Sequence, residues 1–173
     1  MEKQSYTAVK ILALITYIGM IAVNVLADLI PLGGATTRQI AEQYPNLFVP
    51  TPFTFSIWGV IYLLLALYTL YLLGLFRGKD KSDNPELMRK TGTLFSVSSI
   101  LNVAWIIAWH YDMTGLSVII ILLLLLCLIL INNIIKKEEL TAREKFFVGI
   151  PFSVYFGWIT IAVIANITAF LVS

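Results

Sequence analysis

The feature that most constrains this chain is the separation of its charges from five long apolar runs, which fill most of its length. A helix crosses a bilayer core when roughly 20 consecutive residues are mostly apolar. Stretches at about 8–30, 53–76, 93–109, 116–135 and 147–171 meet that description. The third is short and holds Asn102, so its alternative is a re-entrant segment in a four-span chain. Composition agrees with lipid as the solvent: 59% of residues are hydrophobic and 13% charged, against roughly 45–50% and 25% in soluble domains. The expected fold class is therefore an all-α integral membrane protein, a single five-transmembrane-helix bundle over residues 1–173, with no separate soluble module.

Basic residues divide sharply between the two sides. Lys3, Lys10, Arg77, Lys79, Lys81, Arg89, Lys90, Lys136, Lys137, Arg143 and Lys145 all fall on one side of a five-span chain, and Arg38 alone falls on the other. By the positive-inside rule the N-terminus is cytoplasmic and the C-terminus outside. Removing the third span would place basic loops on both sides, which favours the odd number. A cytoplasmic membrane of a bacterial kind is the expected location. The net charge of +2 is too small to suggest nucleic acid as a partner. Val25-Leu26-Ala27 resembles a signal-peptidase site, but the run before it is long for a signal peptide and reads as a retained helix.

Local signals mark the ends of these helices. Thr51-Pro52 can start the second span, because proline suits the first helical turn. Asn84-Pro85-Glu86 can open a short cytoplasmic helix ahead of the third. Thr141-Ala142-Arg143-Glu144 has the spacing of a capping box before the fifth. Residues 31–52 form much the longest connection, on the outer side. Its segment 36–44 has the makings of one or two helical turns, and ordered loops of that length often act as lids.

Polar groups in a span are costly unless paired, so their spacing is informative. Asn24 and Asp28 share a face of the first span. Asn102, Trp105 and Trp109 do so in the third, Trp58 and Tyr62 in the second, and Tyr155, Trp158, Ala162 and Asn166 in the fifth. The fourth has nothing comparable. With the orientation above, most of these groups collect at one depth beneath the long outer loop, as the walls of a ligand pocket would. Two plainer readings stand beside that one. Tryptophan and tyrosine gather in interfacial belts, as Trp109-His110-Tyr111 could, and asparagine serves as interhelical glue.

Other chemistry is sparse. Cys127 is the sole cysteine, so no intramolecular disulfide or cysteine-rich metal site is available, and it sits in a wholly apolar run. His110 is the sole histidine, which excludes a bis-histidine haem within one chain. Asp28 reads equally as a ligand partner or proton carrier and as an exposed helix-end residue. No nucleotide loop or hydrolytic triad is present, and neither a catalytic group nor a metal site is assigned. Asn166-Ile167-Thr168 matches a glycosylation acceptor only in its letters, because it lies inside a span.

Three segments are similar to motifs of the TspO/translocator protein family, the tryptophan-rich sensory proteins or peripheral-type benzodiazepine receptors. Trp58-Gly59-Val60-Ile61-Tyr62, following Pro50 and Pro52, resembles the W-G-x-x-Y of helix two. Leu101-Asn102-Val103-Ala104-Trp105 resembles the L-N-W-A-W of helix three, and Tyr155-x2-Trp158-x7-Asn166 the P-Y-x-x-W-x7-N of helix five. The resemblance implies a five-helix bundle, often a homodimer, with a pocket closed by the loop between helices one and two. It implies a flat hydrophobic ligand, a porphyrin such as protoporphyrin IX or haem, with no cofactor required. Trp58, Tyr62, Asn102, Trp105, Trp109, Tyr155, Trp158 and Asn166 would line the site, with Asn24 and Asp28 as polar partners. Val103 and Val154 depart from the family's tryptophan and proline, and Phe48 is the aromatic nearest to where a loop tryptophan is expected. The chain ends Phe170-Leu171-Val172-Ser173, so the family's sterol motif is not carried over. Two other readings remain: light-dependent porphyrin breakdown with Trp105 or Trp158 redox-active, and a permease-like or structural subunit whose tryptophans only anchor it in lipid.

Overall fold

Asn84 shows how local chemistry sets the longest buried helix. Its side-chain oxygen accepts from the backbone N–H groups of Glu86 (3.1 Å) and Leu87 (3.0 Å), and Pro85 occupies the first helical position. This is a complete N-terminal cap, and nothing interrupts the helix from there to His110. The short helix expected at Asn84-Pro85-Glu86 and the third apolar run are therefore one helix. The computed structural model describes residues 2–30, 34–44, 52–76 and 84–173, apart from the side chains of residues 2–5, 52 and 55. The expectations placed on Lys3, Phe48, Pro50, Thr51, Arg77, Lys79 and Lys81, and on the remainder of the 31–52 lid, lie outside the described residues or side chains.

The element order is α1 (Glu2–Leu29), α2 (Thr37–Gln43), a 3₁₀ turn (Pro52–Ser56), α3 (Ile57–Leu73), α4 (Pro85–His110), α5 (Thr114–Lys136), α6 (Ala142–Glu144), a π-helical turn (Lys145–Gly149) and α7 (Ile150–Val172). Tyr6–Leu29, Pro85–His110, Thr114–Lys136 and Ala142–Val172 are long and apolar enough to cross a membrane, while Ile57–Leu73 is apolar but shorter at 17 residues. The second apolar run yields a shorter α-helix than its sequence suggests because its start winds as 3₁₀. It stops at Gly74, whose φ of 108° is open to glycine at little cost. Leu75 N–H bonds the Leu70 carbonyl (3.0 Å) in the usual closing pattern. At the start of the fifth run the Thr141–Glu144 capping box forms as expected. The widened turn that follows coincides with Pro151, which has no N–H to donate to the preceding turn and whose ring crowds it.

Helix α4 lies at the centre, packed mainly on α1 and α5; α5 also packs on α7, and α3 on both α1 and α7. The buried face of α4 carries Thr91, Gly92, Ser96, Ser98 and Ser99, small residues that let neighbouring backbones approach. Their hydroxyls bond back to carbonyls of the same helix, such as Thr91 to Leu87 (2.8 Å) and Ser96 to Gly92 (2.9 Å), so none depends on water. Outward faces are apolar instead. Ile11, Ile15 and Ile18 on α1 and Ile119, Leu122 and Leu126 on α5 are exposed. Buried hydroxyls under an apolar skin suit a hydrocarbon solvent.

Gly92 of α4 packs against both α1 and α3. A Cβ there would lie 2.8 Å from Val9 Cγ1 and 3.2 Å from Leu72 Cδ2. Gly92→Leu is expected to destabilise the bundle by about 1–3 kcal/mol through overpacking. A thermal melt in detergent checks this, and a melting temperature equal to that of the wild type would contradict it.

Candidate ligand site

The site is built around the half-buried Trp58, in the first turn of α3. Tyr62, one turn on, stacks against it (ring centroids 5.5 Å apart, planes at 27°). Trp105 of α4 stacks on Trp58 at 6.1 Å and 27°. Helix α7 presents Tyr155 and Trp158 edge-on to the same indole, at 6.4 and 5.9 Å. Such offset and edge-to-face pairs contribute about 0.5–1.5 kcal/mol each beyond the area they bury. Three helices thus converge on one aromatic cluster.

A polar chain runs beside it. Asn24 Nδ2 donates to Asn102 Oδ1 (2.7 Å) and to the Met20 carbonyl (2.8 Å), and Asn102 Nδ2 donates to Tyr155 Oη (3.2 Å). All three side chains are buried, so α1, α4 and α7 are joined by hydrogen bonds that water does not reach. Tyr17 adds a link from α1 to α3, its hydroxyl donating to the Tyr62 carbonyl (3.0 Å).

Two donors in the cluster are unused. Trp105 Nε1 and Trp158 Nε1 are buried without a hydrogen-bond partner, on two rings that flank Trp58. Buried indole N–H groups usually find an acceptor, and an exception calls for an explanation. Trp109, one turn beyond Trp105, follows the usual pattern: its Nε1 donates to the Thr37 carbonyl (3.3 Å).

That bond begins the attachment of α2, the helical part of the expected lid. Thr36 and Gln39 form a capping box at its start, and Thr37, Ile40 and Tyr44 are buried. The Tyr44 ring lies 6.1 Å from that of Trp109, and its hydroxyl donates to the Asp112 carboxylate. Burial, with the Asp112 charge beside it, pushes the Tyr44 phenol up to about 12, so it remains a neutral donor at physiological pH. Asp112 holds a φ of 59°, a left-handed conformation that aspartate tolerates better than most residues. Asp112→Ala is expected to loosen α2, raising amide hydrogen exchange across 37–43 while α4 stays protected. Unchanged exchange in α2 would show that the contact holds nothing in place.

Several expected site residues fall elsewhere. Asp28 is exposed and makes no hydrogen bond or ion pair among the described residues, so it is not a link in the asparagine chain, although its charge acts on Tyr62 of the aromatic cluster. Asn166 is buried but pairs with α5, its Oδ1 accepting from Ser117 Oγ (2.9 Å). Helix α5 therefore does contribute polar pairing, through Ser117 and also through Asn132, which donates to the Phe152 carbonyl (3.4 Å). His110 is buried rather than at an open interface, with Nδ1 on the Ile106 carbonyl (2.9 Å) and Nε2 unpartnered. Cys127 is a buried free thiol. Among the described residues no group of three His, Cys, Asp or Glu side chains could hold a metal ion.

The residues missed in the sequence are Tyr17, Tyr44, Asp112 and Ser117. Tyr17 had a legible signal, two turns before Asn24 on the same face of α1. The other three depend on contacts remote in the chain, which helical spacing does not reveal.

The profile of the family described as TSPO-like protein matches residues 10–173. No curated protein and no solved structure matches the chain.

Proposed function

We propose that this chain, which belongs to the TSPO-like protein family, is a membrane receptor or carrier that binds a flat hydrophobic ligand, a tetrapyrrole, at the Trp58 cluster. The observation that carries this reading is the pair of unpartnered indole N–H groups on Trp105 and Trp158. Aromatic faces suit a planar ring system, while two unused donors suit acceptors at its edge. A porphyrin bearing carboxylate side chains supplies both. Asn24 and Asn102 are already committed to each other and to Tyr155, so their part is to fix the spacing of α1, α4 and α7 around the rings.

All five long helices cross the bilayer in this account, with the N-terminus cytoplasmic and the C-terminus outside. Helix α3 spans about 26 Å at 1.5 Å per residue, and the 3₁₀ turn before it adds about 10 Å, together enough for a core of about 30 Å. The uneven distribution of basic residues supports the orientation. Helix α2 then lies on the outer side, over the end of α4 that carries Trp109.

The test compares two porphyrins on the detergent-purified chain. Protoporphyrin IX, with two carboxylates, is expected to bind saturably, and an all-alkyl porphyrin about tenfold or more weakly, the worth of one hydrogen bond of about 1.4 kcal/mol. Binding that does not saturate would favour a purely structural membrane subunit.

A further inference from the structure

The aromatic contacts do not end at the cluster. From Trp58 the rings continue to Trp105 (6.1 Å), to Trp109 (6.3 Å) and to Tyr44 (6.1 Å), in an unbroken line of oxidisable side chains from the bundle to α2. The first two steps are stacked, with planes at 27° and 21°. Centroid separations this short lie well inside the range over which a single electron moves between aromatic rings. We propose that Trp58, Trp105, Trp109 and Tyr44 form a one-electron relay that ends at the Tyr44–Asp112 hydrogen bond.

The chemistry of the terminus gives the relay its direction. A phenol that loses an electron becomes a very strong acid, so its oxidation proceeds readily only where a base waits for the proton. Asp112 is such a base, already accepting the Tyr44 hydroxyl, and it is exposed, so it can pass the proton to water. The two tyrosines next to Trp58 hold no acceptor in hydrogen-bond contact, although the Asp28 charge lies near enough to act on Tyr62. Tyr155 accepts from Asn102 but donates to no acceptor among the described residues, and the Tyr62 hydroxyl has no acceptor there either.

An oxidant at the cluster, either a photoexcited planar dye or light that ejects an electron from an indole, removes one electron from Trp58 or Trp105. Trp109 refills that vacancy and is refilled in turn by Tyr44. The Tyr44 O–H bond breaks and the proton bonds to the Asp112 carboxylate. The products are neutral indoles, a Tyr44 phenoxyl radical and protonated Asp112, with the removed electron on the dye or in the solvent. A soluble thiol clears the phenoxyl by donating a hydrogen atom. The relay therefore restores the site tryptophans before they are oxidised irreversibly. It needs no tetrapyrrole and stands whether or not that ligand binds.

The experiment is pulsed photoionisation of the tryptophans in the ligand-free, detergent-purified protein, followed by transient absorption. The broad visible band of the indole radical is expected to decay as the narrow phenoxyl band rises, more slowly in deuterated water. Tyr44→Phe keeps the ring but removes the O–H, and most of the phenoxyl signal should disappear while the indole radical persists. Trp109→Phe should give the same loss with Tyr44 intact. Asp112→Asn should slow the rise several-fold and abolish the solvent isotope effect. Helical circular dichroism checks each fold, and if Trp109→Phe does not fold the other two variants decide. Absence of a phenoxyl signal in the wild type, or a phenoxyl yield unchanged by Tyr44→Phe, overturns the relay.

Discussion

Replacing both Trp105 and Trp158 by phenylalanine is expected to weaken protoporphyrin IX binding by about 100-fold, and each single replacement by about tenfold. The expectation follows from what phenylalanine keeps and what it lacks. It keeps an aromatic ring against Trp58, where the rings now lie 6.1 Å away for Trp105 and 5.9 Å for Trp158. It lacks the N–H, which in both residues is buried and unpartnered in the ligand-free chain. Removing an unsatisfied donor relieves the free protein slightly, which offsets part of the roughly 1–2 kcal/mol lost as the smaller ring buries less surface and leaves a small cavity. In the complex each N–H meets an acceptor out of contact with water, a bond of about 1.5 kcal/mol. A loss of about tenfold in dicarboxylate binding per replacement, with all-alkyl porphyrin binding left nearly unchanged, is a combination that a merely structural tryptophan would not produce. Affinity unaffected by either change would show that these donors do not face the ligand.

Asn102→Leu should be the most damaging single change to the bundle, costing about 2–4 kcal/mol. Leucine has as many side-chain heavy atoms as asparagine but is bulkier, so lost hydrogen bonding is the main cost and some overpacking adds to it. Asn102 is both acceptor for Asn24 and donor to Tyr155, and it is completely buried. Its removal leaves one amide N–H and one phenol oxygen without that partner, at a depth where water cannot replace it. Asn24 retains its bond to the Met20 carbonyl, which limits the cost. Asn102→Asp, whose buried neutral carboxyl keeps one donor and one acceptor but loses the second N–H, should fall between. Reversible unfolding in a mixed detergent measures the series, and an Asn102→Leu variant within about 0.5 kcal/mol of the wild type would contradict the network, since that is the ordinary scatter of neutral substitutions.

How much was readable in advance can be judged residue by residue. The asparagine and tryptophan stripes were visible because helical spacing alone puts Asn102 beside Trp105, and Trp58 beside Tyr62. Helix pairing could not be seen. Nothing in the spacing of Asn166 shows that it turns to Ser117 on α5 rather than to the aromatic cluster. Asp28 is four residues from Asn24 and shares its face, yet it lies close to the helix end and its side chain is exposed. The starts of α4 and α6 are set by capping chemistry that the sequence shows, while the extent of α4 is not legible from its cap. A proline at the first turn starts a helix but does not say how far that helix runs. The lid helix α2 was legible from its capping residues. Its anchorage through Tyr44 and Trp109 was not, because both bonds join segments far apart in the chain.

The measurement that most directly tests the account is a titration of the purified wild-type protein with protoporphyrin IX, followed by quenching of tryptophan fluorescence, beside the same titration with an all-alkyl porphyrin. Two of the four tryptophans offer unused donors to the site, so the account predicts saturable quenching by the dicarboxylate and quenching at least about tenfold weaker by the alkyl ring. Equal, unsaturating quenching by both would mean that the aromatic cluster only packs the helices, and the ligand-binding reading would fall.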